Sequence, residues 1–269
     1  MWVCGTYVLD CNKPLVMGVV NLHPASFARI SYKTSVDDSV AQALSMIEEG
    51  AAIIDLGAEP TNPQQASHTT ISVQEELARL LPVLRQLVPR VKVPISIDTS
   101  QPEVMKVVLS EGASIINDTR ALNYEGAVAA VAATKAGVCL MHQGDGSDIK
   151  AIAHYLKDRA TVCIQAGIAQ QRIAVDPGIG NGHFGKTSLQ NLALLKQLSA
   201  LCADEYPVLV GVSRKTFIGD VLGVPPEDRL AGSLAAMIVA YQQGVRIVRV
   251  HDVAPTVHAL KVIQAIGTA

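Results

Sequence analysis

Eight short apolar runs, each followed by a stretch of helical periodicity, constrain this chain more than any other feature. The runs are LVMGVV (15–20), AIIDL (52–56), PISID (94–98), SIIND (114–118), VCLMH (138–142), RIAVD (172–176), PVLVGVS (207–213) and RIVRVH (246–251). Continuous apolar runs bounded by turn residues read as strands buried on both faces, which is the signature of parallel pairing. Between the first two, Val36, Val40, Ala43, Leu44 and Ile47 share one helical face, and Gly50 supplies a stop. The next helix opens at Ser72 with Glu75 three residues on, a capping-box spacing, and Pro82 is expected to kink or interrupt it. Further helices are predicted near 101–111, 125–136, 149–168, 188–203, 228–243 and 255–267. Gly112, Gly137, Gly167 and Gly244 punctuate the return to the following strands.

Strands alternating with helices and no Gly/Ser-rich linker imply an α/β fold in a single domain spanning 1–269. An open doubly wound sheet would call for a G-x-G-x-x-G turn after the first strand, and that turn reads GVVNLHPASF instead. The count of eight and a length of 269 residues, close to the roughly 250 of an eightfold βα barrel, favour a closed (β/α)8 barrel, the TIM barrel. Aromatics make up only 4% of the chain, so the core must be built from aliphatic side chains.

The net charge is −2 and like charges never cluster, which argues against nucleic acid as a partner. A small anionic substrate held by a few placed cations remains compatible. Five cysteines (Cys4, Cys11, Cys139, Cys163 and Cys202) show no metal-binding spacing and read as small buried hydrophobes of a reducing compartment. No signal peptide and no apolar run of membrane-spanning length is present. The expectation is a cytoplasmic protein that does not engage a membrane.

In a βα barrel the site lies at the carboxyl ends of the strands. Every run ends in groups that hydrogen-bond or carry charge: Asn21, Asp55, Asp98, Asn117 with Asp118, His142, Asp176, Ser213 through Lys215, and Arg249 with His251. Any one of these could merely cap the next helix. Eight converging together read as one site. Asp98, Asn117, Asp176 and Lys215 offer acceptors, an amide and a cation, which suits a flat heterocycle with amino and carbonyl edges. Asn21, Arg249 and His251, on the first and last strands, form a second group suited to an oxyanion such as phosphate. His142 reads as a packed histidine, and His23 as an exposed loop residue.

In this order, the segments MGVVNLHPASF, IDLGAEPTNP, SIDTSQPEVM, INDTRAL, LMH, DPGIG, GVSRKTFIG, EDRLAGSLAA and RVHDV resemble dihydropteroate synthase from about residue 14 to the C-terminus. The resemblance implies a barrel that condenses 6-hydroxymethyl-7,8-dihydropterin pyrophosphate with p-aminobenzoate in folate synthesis, assisted by Mg2+, in a homodimer. It implies pterin recognition by Asp98, Asn117, Asp176 and Lys215, with Met141 as an apolar wall. Pyrophosphate falls to Asn21, Arg249 and His251, with Asn21 also meeting the metal and Arg249 lying against the ring. Thr216 stands where the p-aminobenzoate carboxylate is received, and Thr61 and Phe184 complete the substrate-binding set. Lys215, Arg249 and His251 are the catalytic candidates.

The sequence departs from the family pattern in three places. The first loop usually reads N-x-T-P-D-S-F, and here Ala25 replaces the aspartate and His23 the threonine. In the second loop Asn62 replaces an arginine. Losing an acid and a base together avoids leaving a lone charge. Asn181, Gly182 and His183 are extra residues ahead of Phe184-Gly185-Lys186. These departures imply a synthase with reduced sulfonamide sensitivity. The alternative is a pterin-binding paralogue without synthase activity.

Overall fold

The computed structural model describes residues 1–22, 35–58, 71–203 and 205–268. Two short strands come first, β1 (Trp2–Cys4) and β2 (Tyr7–Leu9). The barrel strands are β3 (Leu15–Asn21), β4 (Ile53–Gly57), β5 (Ile95–Asp98), β6 (Ile115–Asp118), β7 (Gly137–Met141), β8 (Ile173–Asp176), β9 (Leu209–Val210) and β10 (Ile247–Val250). The helices are α1 (Val36–Glu48), α2 (Val73–Leu87), α3 (Pro102–Ser110), α4 (Ala127–Ala132), α5 (Ile149–Gln165), α6 (Ser188–Leu195), α7 (Leu198–Cys202), α8 (Thr216–Leu222), α9 (Leu230–Gln242) and α10 (Val253–Thr268). All eight expected strands are present, parallel, in the order β8-β7-β6-β5-β4-β3-β10-β9. A parallel bridge between Val175 and Val208 joins the two ends of that order, with the Val175 amide donating to Pro207 O at 2.9 Å. The sheet is therefore a closed eight-stranded barrel.

Strand parity explains both the core and the site. Met17, Ile53, Ile115, Cys139, Ala174, Leu209 and Ile247 point into the barrel and form its floor with Trp2 and Cys4. The alternate residues, such as Val16, Ile54, Ile97, Ile116 and Val248, face the helices in the larger core. Two residues further along each strand the same inward parity is occupied by Asp55, Asn117, Met141, Asp176 and Arg249. A pocket lined by polar groups thus stands directly above a hydrophobic floor.

The antiparallel hairpin of β1 and β2 was not expected from the sequence, because three-residue strands carry too little pattern. It plugs the barrel floor: Trp2 is 0% exposed, and its indole Nε1 donates to Arg172 O at 3.0 Å. Gly137 opens β7 against this plug. A Cβ there would stand 2.6 Å from Cys4 Sγ and 3.1 Å from Val3 O. Gly137 is therefore a close-approach residue, whereas Gly112, Gly167 and Gly244 supply left-handed turns with φ near +100°. Gly137→Ala should cost about 1–3 kcal/mol by overpacking. Urea unfolding tests this, and an unchanged midpoint would show that the hairpin does not seat against β7.

Several helix expectations need correction. Pro82 lies inside an uninterrupted α2, because Leu80, Val83, Leu84 and Leu87 are buried on both sides of it and offset the lost backbone bond. The Ser72 cap is half a capping box: Ser72 Oγ accepts from the Glu75 amide at 3.2 Å, but the Glu75 carboxylate pairs with Arg79. A complete box stands at Thr187 and Gln190. The segment 188–203 is split into α6 and α7, and α8 is an additional helix beyond those the sequence predicts. All five cysteines are free, and Cys4, Cys139 and Cys163 are buried as expected, while Cys11 and Cys202 are only half-buried. Among the described residues no helix is long and apolar enough to cross a membrane.

Candidate active site

Arg249, on the inner face of β10, organises the mouth of the barrel. Its Nε donates to Asp55 Oδ2 at 2.6 Å and its Nη2 to Asp98 Oδ2 at 2.8 Å, so one guanidinium spans β4 and β5. Asn117 Nδ2 approaches the same Asp55 oxygen at 3.5 Å. Burial works against the charge on Arg249, but Asp55 and Asp98 more than compensate and hold its pKa above the usual arginine range. The sequence divided these residues into a heterocycle group and an anion group. Arg249, tied to Asp55 and Asp98, joins the two groups, in keeping with the place against the ring that the resemblance implies for it.

The second half of the mouth is built on the turn after β8. Asp176 is buried, and its Oδ1 accepts from the Gly178 amide at 2.7 Å. Burial raises its pKa, against the opposing influence of Lys215 and that amide. Lys215, between β9 and α8, donates to Ile179 O and lies over the Phe184 ring, 4.0 Å from its centre. Burial lowers the Lys215 pKa to about 8 even though Asp176 favours its charge. A Cβ placed on Gly211 would meet both Lys215 Nζ at 3.9 Å and Arg249 Cβ at 3.8 Å, so the two halves adjoin. Gly57 plays the same part between Asn21 Oδ1 and Asp98 Oδ2, each 3.9 Å from its virtual Cβ. Asn21, Asp98, Asn117, Asp176, Lys215 and Arg249 therefore share one opening, with Met141 buried on the inner face of β7.

His251 is a neutral donor rather than a cation. Burial and then Arg249 lower its pKa to about 4. Its Nδ1 lies 3.0 Å from Ser213 Oγ, and that oxygen accepts from the His251 backbone amide at 3.3 Å. The contact fits the tautomer in which Ser213 donates to Nδ1 and the ring proton is on Nε2. Thr216 is half-buried at the start of α8, beside Lys215. Thr61, His23, Ala25 and Asn62 lie outside the described residues.

Some strand-end residues serve structure. Asp118 is buried and accepts from Ser100 Oγ at 2.5 Å and from the amides of Arg120 and Leu122 at 2.8 and 2.7 Å. It holds a turn in which Ala121 and Leu122 adopt positive φ. His142 packs edge-on against Tyr155, 5.1 Å between ring centres, as expected of a packed histidine. Two groups were underrated by sequence reasoning. Asp55 stood among the strand ends but entered neither binding group, although its parity with Ile53 points it inward. Ser213 stands out in the sequence only as part of the SRK run.

The sequence matches the family described as "Pterin binding enzyme" over residues 17–251. It is 42% identical to the dihydropteroate synthase of Escherichia coli strain K12 over 268 residues, covering 96% of this chain and 93% of that protein. A dihydropteroate synthase from Coxiella burnetii solved with pteroic acid superposes with a TM-score of 0.90 at 38% identity, covering 99% of this chain and 98% of that one. The Xanthomonas albilineans dihydropteroate synthase with 4-aminobenzoic acid gives 0.89 at 42% identity, covering 97% and 96%. The chain belongs to the dihydropteroate synthase family of pterin-binding enzymes.

Proposed function

We propose that this protein is a dihydropteroate synthase: it joins 6-hydroxymethyl-7,8-dihydropterin pyrophosphate to p-aminobenzoate and releases pyrophosphate. The observation that carries the reading is the Asp55–Arg249–Asp98 array set beside Asn117, Asp176 and Lys215 at one barrel mouth. Carboxylates and an amide from separate strands match the alternating donors and acceptors of a pterin edge. The relatives solved with pteroic acid and with 4-aminobenzoic acid carry, by their names, both halves of the product.

In this chain, Asp98, Asn117 and Asp176 hold and orient the ring. The remaining N–H groups of Arg249, the Nε2–H of His251 and the Asn21 carboxamide face the leaving pyrophosphate. Thr216 and Lys215 border the p-aminobenzoate side, where the pocket aligns the attacking amine with the pterin methylene. Mg2+ fits this donor set as a hard cation: Asn21 offers a buried amide oxygen close to Asp98. Among the described residues no group of three His, Cys, Asp or Glu could hold a metal ion. The proposed ion would therefore be held by Asn21 together with water and phosphate oxygens. When bound, it neutralises charge on the departing pyrophosphate.

Homodimer formation is part of the proposal, supported by exposed apolar side chains on the last two helices, Val239, Val262 and Ile266. Reduced sulfonamide sensitivity is likewise part of the proposal and rests on Asn62 and on the extra residues Asn181, Gly182 and His183.

The test is product formation from the pterin pyrophosphate, p-aminobenzoate and Mg2+. Asp98→Ala removes one of the two carboxylates bound to Arg249 and should lower kcat/KM by about 10- to 100-fold, the value of a charge-assisted hydrogen bond. Pterin binding by calorimetry without turnover in the wild type would instead establish a paralogue lacking synthase activity.

A further inference from the structure

Lys186 takes no part in the pocket described above, yet it is only 2% exposed. Lysines are almost never that buried without a counter-charge. Its Nζ donates to Gly144 O at 3.2 Å and stands 3.3 Å from His142 Nδ1. His142 is neutral, its pKa lowered to about 4 by burial and then by Lys186 itself, so Nδ1 is an acceptor and brings no charge. The carboxylates that favour the Lys186 charge are Asp176 and Asp145. Asp145 is exposed and its field is screened by solvent. Asp176 is buried, and there the interaction is felt at low dielectric.

The turn 176–180 is held from two sides. A Cβ on Gly178 would lie 3.4 Å from Lys186 Nζ and 1.9 Å from His142 O, whereas one on Gly180 would lie 3.2 Å from Lys215 Nζ. Lys186 Nζ therefore lies against the Gly178 side of the turn, and Lys215, bonded to Ile179 O, against the Gly180 side. The groups facing Asp176 are the Gly178 amide in its own turn, Lys186 from the segment before α6, Lys215 before α8 and Arg249 on β10. The buried Cys139 thiol on β7 stays neutral, its pKa raised by burial.

We propose that Lys186 is a positioning residue for pterin recognition: its buried ammonium keeps Asp176 ionised as a hydrogen-bond acceptor while tying the 176–180 turn to the end of β7. The inference rests on the pocket being a pterin site. A protonated carboxyl would surrender part of the acceptor capacity that the amino edge of the ring requires. Burial already raises the Asp176 pKa, and removing Lys186 would raise it further.

Calorimetry with 6-hydroxymethylpterin from pH 6 to 9 tests this on the wild type, Lys186→Met and Lys186→Arg, with thermal unfolding as a check on folding. Lys186→Met should bind about tenfold more weakly at pH 6, the effect of one opposite charge on a carboxylate. The gap should close towards pH 9. There the wild-type lysine, whose pKa burial lowers to about 8, has itself lost its charge, so the two proteins present nearly the same field to Asp176. Lys186→Arg should restore most of the affinity at pH 6. Lys186→Gln, which keeps a donor for Gly144 O without the charge, should repeat the methionine pattern and serves if that variant folds poorly. A loss of equal size at every pH, or an arginine variant as weak as the methionine one, overturns the inference and leaves a packing role. A wild type that binds no pterin at any pH overturns the pocket reading and this inference with it.

Discussion

Replacing Arg249 with methionine should lower the unfolding free energy by about 3–5 kcal/mol and kcat/KM by roughly 100- to 1000-fold. Both effects have one origin. Asp55 is fully buried and Asp98 is 17% exposed, and each directs a carboxylate oxygen at the guanidinium. Without it, two carboxylates are left at the mouth with their principal counter-charge gone. Arg249→Lys should recover little, since one ammonium cannot present the fork that reaches both strands. The double variant Arg249→Met/Asp55→Asn separates the two roles. Removing the buried charge should return much of the stability, while turnover stays low because the donors facing pyrophosphate are still missing. If the single variant is as stable as the wild type by urea unfolding, the pair of ion bridges does not hold the mouth together.

The second large effect is expected at Arg214, which touches no substrate in the proposed arrangement. Its side chain is 5% exposed; Nε and Nη2 grip Asp252 at 2.8 and 2.7 Å, and Nη1 reaches Pro226 O and Glu227 O, both at 2.8 Å. The residue also carries a positive φ of 57°, a conformation that persists only where the surroundings impose it. Its neighbours in sequence are Ser213, which orients His251, and Lys215, while Asp252 follows His251. This fork thus sets the SRK turn against the RVHD turn. Arg214→Met should cost about 3–5 kcal/mol through the stranded Asp252 and carbonyls. It should also lower kcat/KM by about 100-fold through misplacement of Lys215 and His251. Arg214→Lys should fall between, as a lysine cannot bridge both carboxylate oxygens. Wild-type kcat/KM in a destabilised variant would show that the fork stabilises the barrel without positioning the site.

Much of this molecule was legible in advance because βα barrels are built from local signals. Each strand is a short apolar run, each helix an amphipathic stretch, and the left-handed turns at Gly112, Gly167 and Gly244 are where only glycine is at ease. Inward parity is local too: Ile53 and Asp55 must face the same way, as must Ile247 and Arg249. That is why the strand-end residues are legible in the sequence. The hairpin Trp2–Leu9 escaped notice for the opposite reason. Its strands are three residues long, and its purpose is to close a floor made by seven distant strands. Pro82 does not interrupt α2 because helix propensity is weaker than the burial of the residues around it.

What the chain determines on its own is the alternation of elements, the inward phase of each strand and the chemical types that gather at the strand ends, since all three depend on residues a few positions apart. Only the closed barrel decides who pairs with whom. Arg249 meets Asp55 and Asp98 across 194 and 151 residues of sequence, His251 gives up its charge through burial, and Lys186 comes to stand against Gly178 in the turn after Asp176. Electrostatic partnership and desolvation depend on distance and enclosure in space, and neither is written in the spacing of residues along a chain.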